Sequence, residues 1–143
     1  MADLLTTSNL SKSFGSLLVI DSFYMQLKEG EALGIIGPNG AGKSTLFNLI
    51  TGSLSPNSGS IQFDGTDITH MPAHDRCRRG IGRSYQIPHP FIGMTVFENL
   101  LVGAAFGGGR SESESYDFCA QSLKLTGLLQ KANALAGSLT LLE

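Results

Sequence analysis

The sequence predicts an α/β fold built around a phosphate-binding loop, and three observations carry that expectation. Gly37-Pro38-Asn39-Gly40-Ala41-Gly42-Lys43-Ser44-Thr45 places Gly37, then four residues, then Gly42-Lys43-Ser44. The apolar run Ala32-Leu33-Gly34-Ile35-Ile36 directly before it reads as a buried strand. After it, Leu46, Leu49 and Ile50 recur at helical spacing as far as Gly52, a C-terminal stop. Strand, glycine-rich loop and helix in that order are the context this motif requires. Glycines let the backbone curl so that its N–H groups approach phosphate oxygens. The positive end of the helix dipole then faces the anion. Lys43 supplies a mobile cation for the terminal phosphates, and the Ser44 hydroxyl is suited to Mg²⁺. The plainer alternative, an ordinary strand-to-helix turn, does not explain why pattern and context agree.

The length suits one domain with a sizeable core. A formal net charge of −2 argues against nucleic acid, which favours a basic footprint. No apolar run approaches the roughly 20 residues that span a bilayer. Met1-Ala2-Asp3 starts no signal peptide, since a basic and then an apolar region are missing. Cys77 and Cys119 make no disulfide framework, and a reducing cytoplasm is the simplest setting. His70, His74 and Cys77 have helix-like spacing, but a helix surface explains them better than a metal does.

In chain order, Leu4 to Leu10 read as a first strand and Ser11-Lys12-Ser13-Phe14-Gly15 as a turn. Leu17, Val19, Phe23, Met25 and Leu27 alternate, with an interruption at Asp21, and predict two short strands or one bent one. Lys28-Glu29-Gly30-Glu31 is a turn feeding the strand before the phosphate loop. Phe14 is a core aromatic or a platform for adenine, and position alone favours the core. Ser55-Pro56-Asn57-Ser58-Gly59 is a turn. Ile61 and Phe63 alternate in a short strand, Asp64-Gly65 signals a hairpin, and Ile68 lies on the returning strand. Pro72 suits a helix's first turn, with Thr69 or His70 near the N-cap. That helix stops at Gly80, and Arg76, Arg78 and Arg79 form a small basic cluster that a solvated face explains as well as a ligand would.

Ile81 to Gln86 looks like another strand, ended by Pro88 and Pro90, with Gln86 at its carboxyl end, where ligands sit in open α/β sheets. Thr95 and Glu98 form a capping box for a helix through Leu100, Leu101 and Ala104. Gly107-Gly108-Gly109 and Arg110 to Ser115 read as one flexible segment. Tyr116, Cys119, Ala120 and Leu123 mark the apolar stripe of the next helix, which stops at Gly127. Leu128, Leu129, Ala132 and Leu135 suggest a further helical turn, and Thr140 with Glu143 a last cap.

This order of parts resembles the nucleotide-binding subunit of ATP-binding cassette (ABC) transporters, from Leu4 to Glu143. Gly37 to Thr45 matches that family's loop letter for letter. The resemblance implies a P-loop NTPase core with an antiparallel β subdomain and a helical subdomain, truncated before the acidic Walker B strand. It divides one domain, 1–143, into 1–86, the β subdomain and P-loop core, and 87–143, the glutamine loop and incomplete helical subdomain. It implies that ATP is held by Phe14, Gly37, Pro38, Asn39, Gly40, Ala41, Gly42, Lys43, Ser44 and Thr45. Phe14 then stacks on adenine, reversing the preference for the core. Lys43 and Gln86 become catalytic, and Ser44 and Gln86 ligands of Mg²⁺. Implied partners are a second ATP-binding subunit, identical or not, integral membrane permease subunits and, indirectly, a solute-binding protein. The implied place is the inner face of the cell membrane, as a peripheral cytoplasmic subunit.

The stretches Gly80 to Gln86 and Gly93 to Gly103 resemble those of the branched-chain amino acid importer ATPases, the LivG-like group. Tyr85 stands where lipopolysaccharide-export ATPases carry proline, whereas urea and amide importers look much alike. Two departures stand out. No acidic strand with a following switch histidine lies beyond the loop, and none of His70, His74 and His89 fills that place. The family's Leu-Ser-Gly-Gly-Gln signature aligns with Leu139-Thr140-Leu141-Leu142-Glu143, where leucines replace both glycines. An ABC ATPase without a transport role, and a module that binds nucleotide without hydrolysing it, are the competing expectations.

Overall fold

The computed structural model describes residues 3–143, which divide into two compact units at Arg76/Cys77. The first unit is a four-stranded antiparallel sheet with the phosphate-loop helix. Its strands are β1 (Asp3–Phe14), β2 (Leu17–Lys28), β3 (Ser58–Phe63) and β4 (Thr66–Asp67), in the order β2-β1-β3-β4. β1 is longer than its apolar residues suggest: Ser11 to Phe14 remain in the ladder, and only Gly15 and Ser16 turn. β1 and β2 pair along their whole lengths with breaks in register, one of them between Thr7↔Met25 and Leu10↔Phe23. Asn9 takes a left-handed backbone conformation at that break, with φ of 49°, and Ser22 another at the next one, between Leu10↔Phe23 and Lys12↔Ile20, with φ of 46°. An extra residue in a strand reverses which parity faces inward. Leu5 and Thr7 are therefore buried before the bulge and Leu10 after it. The second break, where three steps of β2 from Phe23 to Ile20 oppose two of β1, explains the interrupted alternation at Asp21, and β2 is one bent strand.

α1 (Lys43–Thr51) buries Leu46, Leu49 and Ile50, the residues that its periodicity selects. It ends at Gly52, whose φ is 80° and whose N–H returns to the Leu49 carbonyl. β3 and β4 are joined by Asp64-Gly65, and Ile68 follows β4 fully buried. Thr69 is no helix cap. It is buried, and its hydroxyl accepts from the Ile61 N–H at 2.9 Å, while the Asp67 carboxylate takes its amide at 2.8 Å. The hydrogen bonds from Thr69 hold the Asp67 carboxyl below the ordinary carboxylate range.

α2 (Ala73–Arg78) corrects the expected solvated face, since Arg76 is 1% exposed. Its guanidinium donates to the carbonyls of Leu49 (2.7 Å), Ile50 (2.8 Å), Met71 (2.8 Å) and Thr69 (3.0 Å). The last carbonyls of a helix have no intrahelical donors, and here a side chain supplies them. Gly52 leaves the room: a Cβ there would stand 2.8 Å from Arg76 Nε. Burial pushes the guanidinium's pKa down from its ordinary value, and the Asp67 carboxylate opposes that shift.

Two expected strands are not formed. Ala32 to Ile36 and Ile81 to Gln86 lie outside any ladder. Leu33 is half-exposed and Ile36 is 98% exposed. A strand destined for burial on both faces needs neighbouring strands to satisfy its backbone, and among the described residues no strand forms a ladder with either run.

The second unit is helical. α3 (Val96–Val102) starts with the predicted capping box: Thr95 Oγ1 accepts from the Glu98 amide, and Glu98 Oε2 takes the Thr95 amide at 2.7 Å. The amides of Val96 and Phe97 donate to the carbonyls of Ala134 and Ala132, so the returning chain closes the helix start. α3 runs on into a wider π turn, Gly103–Gly107. α4 (Glu112–Leu125) begins inside the segment expected to be flexible. Ser111 and Glu114 form a second capping box there, and Ser115 is fully buried with its hydroxyl on the Ser111 carbonyl at 2.8 Å. Cys119 and Leu123 are buried as predicted, and Gly127 follows with φ 75°. Burial raises the Cys119 thiol's pKa. Two single 3₁₀ turns complete the chain, Leu129–Lys131 and Ala136–Ser138. No helix among the described residues is long and apolar enough to cross a membrane.

Candidate functional site

The site in the first unit is built on the junction between Gly37 and α1. Ala41 N–H bonds to the Pro38 carbonyl at 3.2 Å and closes a tight turn. Gly42 caps α1 in the left-handed region, with φ 88° and no side-chain cap. Position 42 has no space for a side chain either: a Cβ would meet the Val19 carbonyl and Ile20 Cδ1, both at 3.0 Å. β2 therefore props the loop from beneath, a support that the motif alone does not reveal. The first amide of α1 that finds a helical partner is that of Leu46, on the Gly42 carbonyl at 2.9 Å. Among the described residues the amides of Lys43, Ser44 and Thr45 have none. No acidic side chain stands in the first turn to compete for them. The result is a row of unsatisfied donors at the positive end of a helix, a geometry suited to an anion.

Lys43 is poised over this row. Its ammonium donates to the carbonyls of Gly37 at 2.6 Å and Pro38 at 2.7 Å, across the mouth of its own loop. These are bonds to neutral oxygens, which phosphate oxygens can exchange for stronger charge-assisted ones. Ser44 is exposed beside the free amides. A cleft of about 230 Å³ adjoins the loop, lined by Val19, Ile20, Ile35, Ala41, Gly42 and Lys43 among others. Pro38, Asn39, Gly40 and Thr45 stand where the motif puts them, in the turn and in the first turn of the helix.

Phe14 lies at the tip of the β1–β2 hairpin, opposite Leu17, and is 47% exposed. It is therefore not a core aromatic, and the Lys12 ammonium stands 5.4 Å from its ring centroid. Gln86 belongs to the second unit, in an irregular exposed segment rather than at a strand end. Sequence reasoning passed over Lys12, Val19, Ile20 and Asn57. An aromatic flanked by a lysine was the available signal for the first of these.

A left-handed glycine cap, free helix amides and a lysine folded over them define a P-loop. The comparisons narrow the class. The family model for "ABC transporter" matches residues 20–140, and the chain belongs to that family. It is 37% identical to the high-affinity branched-chain amino acid transport ATP-binding protein BraF of Pseudomonas aeruginosa, over 95% of this chain and 59% of BraF. It is 43% identical to the probable branched-chain amino acid transport ATP-binding protein LivG of Methanocaldococcus jannaschii, over 71% of this chain and 39% of that protein. The crystal structure of a nucleotide-free ATP-binding cassette from an ABC transporter superposes with a TM-score of 0.76 at 34% identity, over 97% of this chain and 60% of that one. A structure of an ATP-binding cassette in its ADP conformation gives 0.76 at 33%, over 98% and 60%. The chain thus spans about 60% of the length of BraF and of these cassettes. The fold is that of ABC ATPases, P-loop NTPases of mixed α/β type with an antiparallel sheet.

Proposed function

We propose that this chain is the nucleotide-binding part of an ATP-driven importer subunit, which binds MgATP and couples its hydrolysis to uptake of a solute of the branched-chain amino acid class. One observation carries the reading: three unpartnered amides at the start of α1, with the Lys43 ammonium held at 2.6–2.7 Å on carbonyls of the same loop. Terminal phosphates fit those donors and Lys43, and Phe14 supports the base. The donor set also fits Mg²⁺, a hard cation that takes oxygen ligands. The Ser44 hydroxyl would hold it, and when bound it would neutralise charge developing on the phosphates. Gly37 to Thr45 bind and orient the triphosphate.

The solute class is supported by the similarity to BraF and LivG, branched-chain amino acid transport ATP-binding proteins, and by the likeness of Gly80–Gln86 and Gly93–Gly103 to that group. The partners are a second ATP-binding subunit and membrane permease subunits, with a solute-binding protein upstream. On this reading the subunit works at the inner face of the membrane. The chain by itself binds nucleotide without sustained turnover, because it contains no acidic strand with a following histidine beyond the loop. Calorimetry with MgATP tests the site. Saturable binding by the parent that Lys43→Ala weakens by roughly 1.5–3 kcal/mol supports it, and equal affinities refute it.

A further inference from the structure

β1 outruns its neighbour on one side. Its last pair with β3 is Ser11↔Ser58, whereas toward β2 it continues through Lys12↔Ile20, Ser13↔Leu18 and Phe14↔Leu17. The tip that carries Phe14 thus has an open edge, and open edges fray. The loop before β3 closes it. Asn57 Oδ1 accepts the Ser13 amide at 2.7 Å and the Ser13 hydroxyl at 3.4 Å. The Asn57 amide in turn donates to the Ser11 carbonyl at 2.9 Å. One residue thereby substitutes for the missing strand on both sides of Lys12. Lys12 completes the clamp: its ammonium donates to the Ser55 carbonyl at 2.7 Å and lies over the Phe14 ring. Phe14 is anchored at its backbone and backed by a cation, yet nearly half of its surface faces solvent.

We propose that Asn57 is a positioning residue for base recognition, holding Phe14 ready to stack on a nucleobase through the Ser13 amide. The inference rests on Phe14 being the base platform of the proposed ATP site. A ring fixed before the ligand arrives loses less conformational freedom on binding, and that saving appears as affinity for the base. Asn57 has no part in holding phosphate, which the amides of α1 and Lys43 do.

The test compares MgATP with magnesium inorganic triphosphate by calorimetry on the 143-residue chain, for the parent, Phe14→Ala, Asn57→Leu and Asn57→Asp. Phe14→Ala should weaken ATP binding about fivefold or more, in line with stacking energies for bases on aromatics. Asn57→Leu should weaken ATP binding about three- to tenfold, the worth of one hydrogen bond. Both should leave triphosphate affinity unchanged, and Asn57→Asp, which keeps an acceptor oxygen, should restore ATP affinity. If Phe14→Ala is selective for ATP while Asn57→Leu is silent, or weakens both ligands equally, the positioning role falls and the platform stands. If Phe14→Ala does not discriminate, or the parent binds no ATP, the platform itself falls and takes the inference with it.

Discussion

The guanidinium of Arg76 donates to the carbonyl oxygen of Leu49 at 2.7 Å, so the helix that carries the phosphate loop is closed at its far end by a residue 27 positions later in the chain. The same side chain holds the carbonyls of Ile50, Thr69 and Met71. It is a buried cation that donates to neutral carbonyl oxygens, placed where the negative end of α1 favours positive charge. The site's amides and this plug sit at opposite ends of one nine-residue helix.

Arg76→Met should destabilise the first unit by about 3 kcal/mol or more, because several buried carbonyls lose their donors together. Arg76→Lys should recover only part of this, since an ammonium lacks the planar fork that reaches four oxygens. Urea unfolding monitored by circular dichroism checks it. Equal midpoints for parent and Arg76→Met would show that the carbonyls find other donors.

The two ends of α1 also show what was legible in the sequence. The N-terminal end was, because a phosphate site is made from contiguous backbone whose glycine spacing is written in nine successive letters. The C-terminal plug was not. Arg76 stands in a run of arginines whose composition fits a solvated face equally well, and its burial depends on where Leu49 and Gly52 lie in space. Asn57 escaped for the same reason, since it reads as a turn residue until the strand edge it closes is known. The box at Ser111 and Glu114 was readable, but three glycines and a serine-rich stretch suggested flexibility instead. Ala32–Ile36 and Ile81–Gln86 have the composition of strands, and composition cannot supply the partner that makes a strand.

The helical unit should lose helix as the pH falls into the acid range. Glu98 is held below the ordinary glutamate range by hydrogen bonds from Thr95, the backbone one first. Glu114 is held there by the Ser111 hydroxyl first and then its amide. A carboxyl whose folded pKa is depressed contributes fully above its unfolded value, and the contribution disappears as pH drops through the folded value. The direction is therefore toward lower helicity below the usual glutamate range, with little change above it. Replacing both residues by glutamine should flatten that acid limb in a circular dichroism titration. Superimposable titrations would mean that the two boxes contribute nothing.

Leu141 and Leu142 are 77% and 99% exposed, just after Thr140, whose amide and hydroxyl both donate to Glu143 Oε2 at 3.1 Å. Lys131 pairs with the same carboxylate and, as the largest influence, lowers its pKa. The segment is thus a bend closed by Glu143 with two bare leucines at its outer edge. If it serves as the signature presented to a partner subunit's ATP, those leucines crowd a place where glycine amides would approach phosphate. Leu141→Gly with Leu142→Gly, made in the assembled transporter, should raise turnover at the partner's phosphate loop. Turnover unchanged in that complex would remove the segment from the ATP interface.

The final prediction concerns the run before the phosphate loop. Ala32 to Ile36 leave their ladder groups unpaired, and Ile36 projects almost wholly into solvent. An exposed apolar stretch with free backbone donors and acceptors is a template for pairing with another chain. Little charge is present to discourage this, as Glu31 is the nearest ionised side chain on one side and Lys43 on the other. The 143-residue chain should therefore associate reversibly with itself, more strongly as concentration rises. Ile36→Lys places a charge in the middle of the contact and should shift sedimentation toward the monomer. It should not alter the loop's amides, since Ile36 precedes Gly37 and the Lys43 ammonium bonds to the Gly37 and Pro38 carbonyls. MgATP affinity measured on the same variant separates the two effects. A monomeric parent at all concentrations, or a variant that associates as strongly as the parent, would show that the run is protected in another way and is not the contact surface.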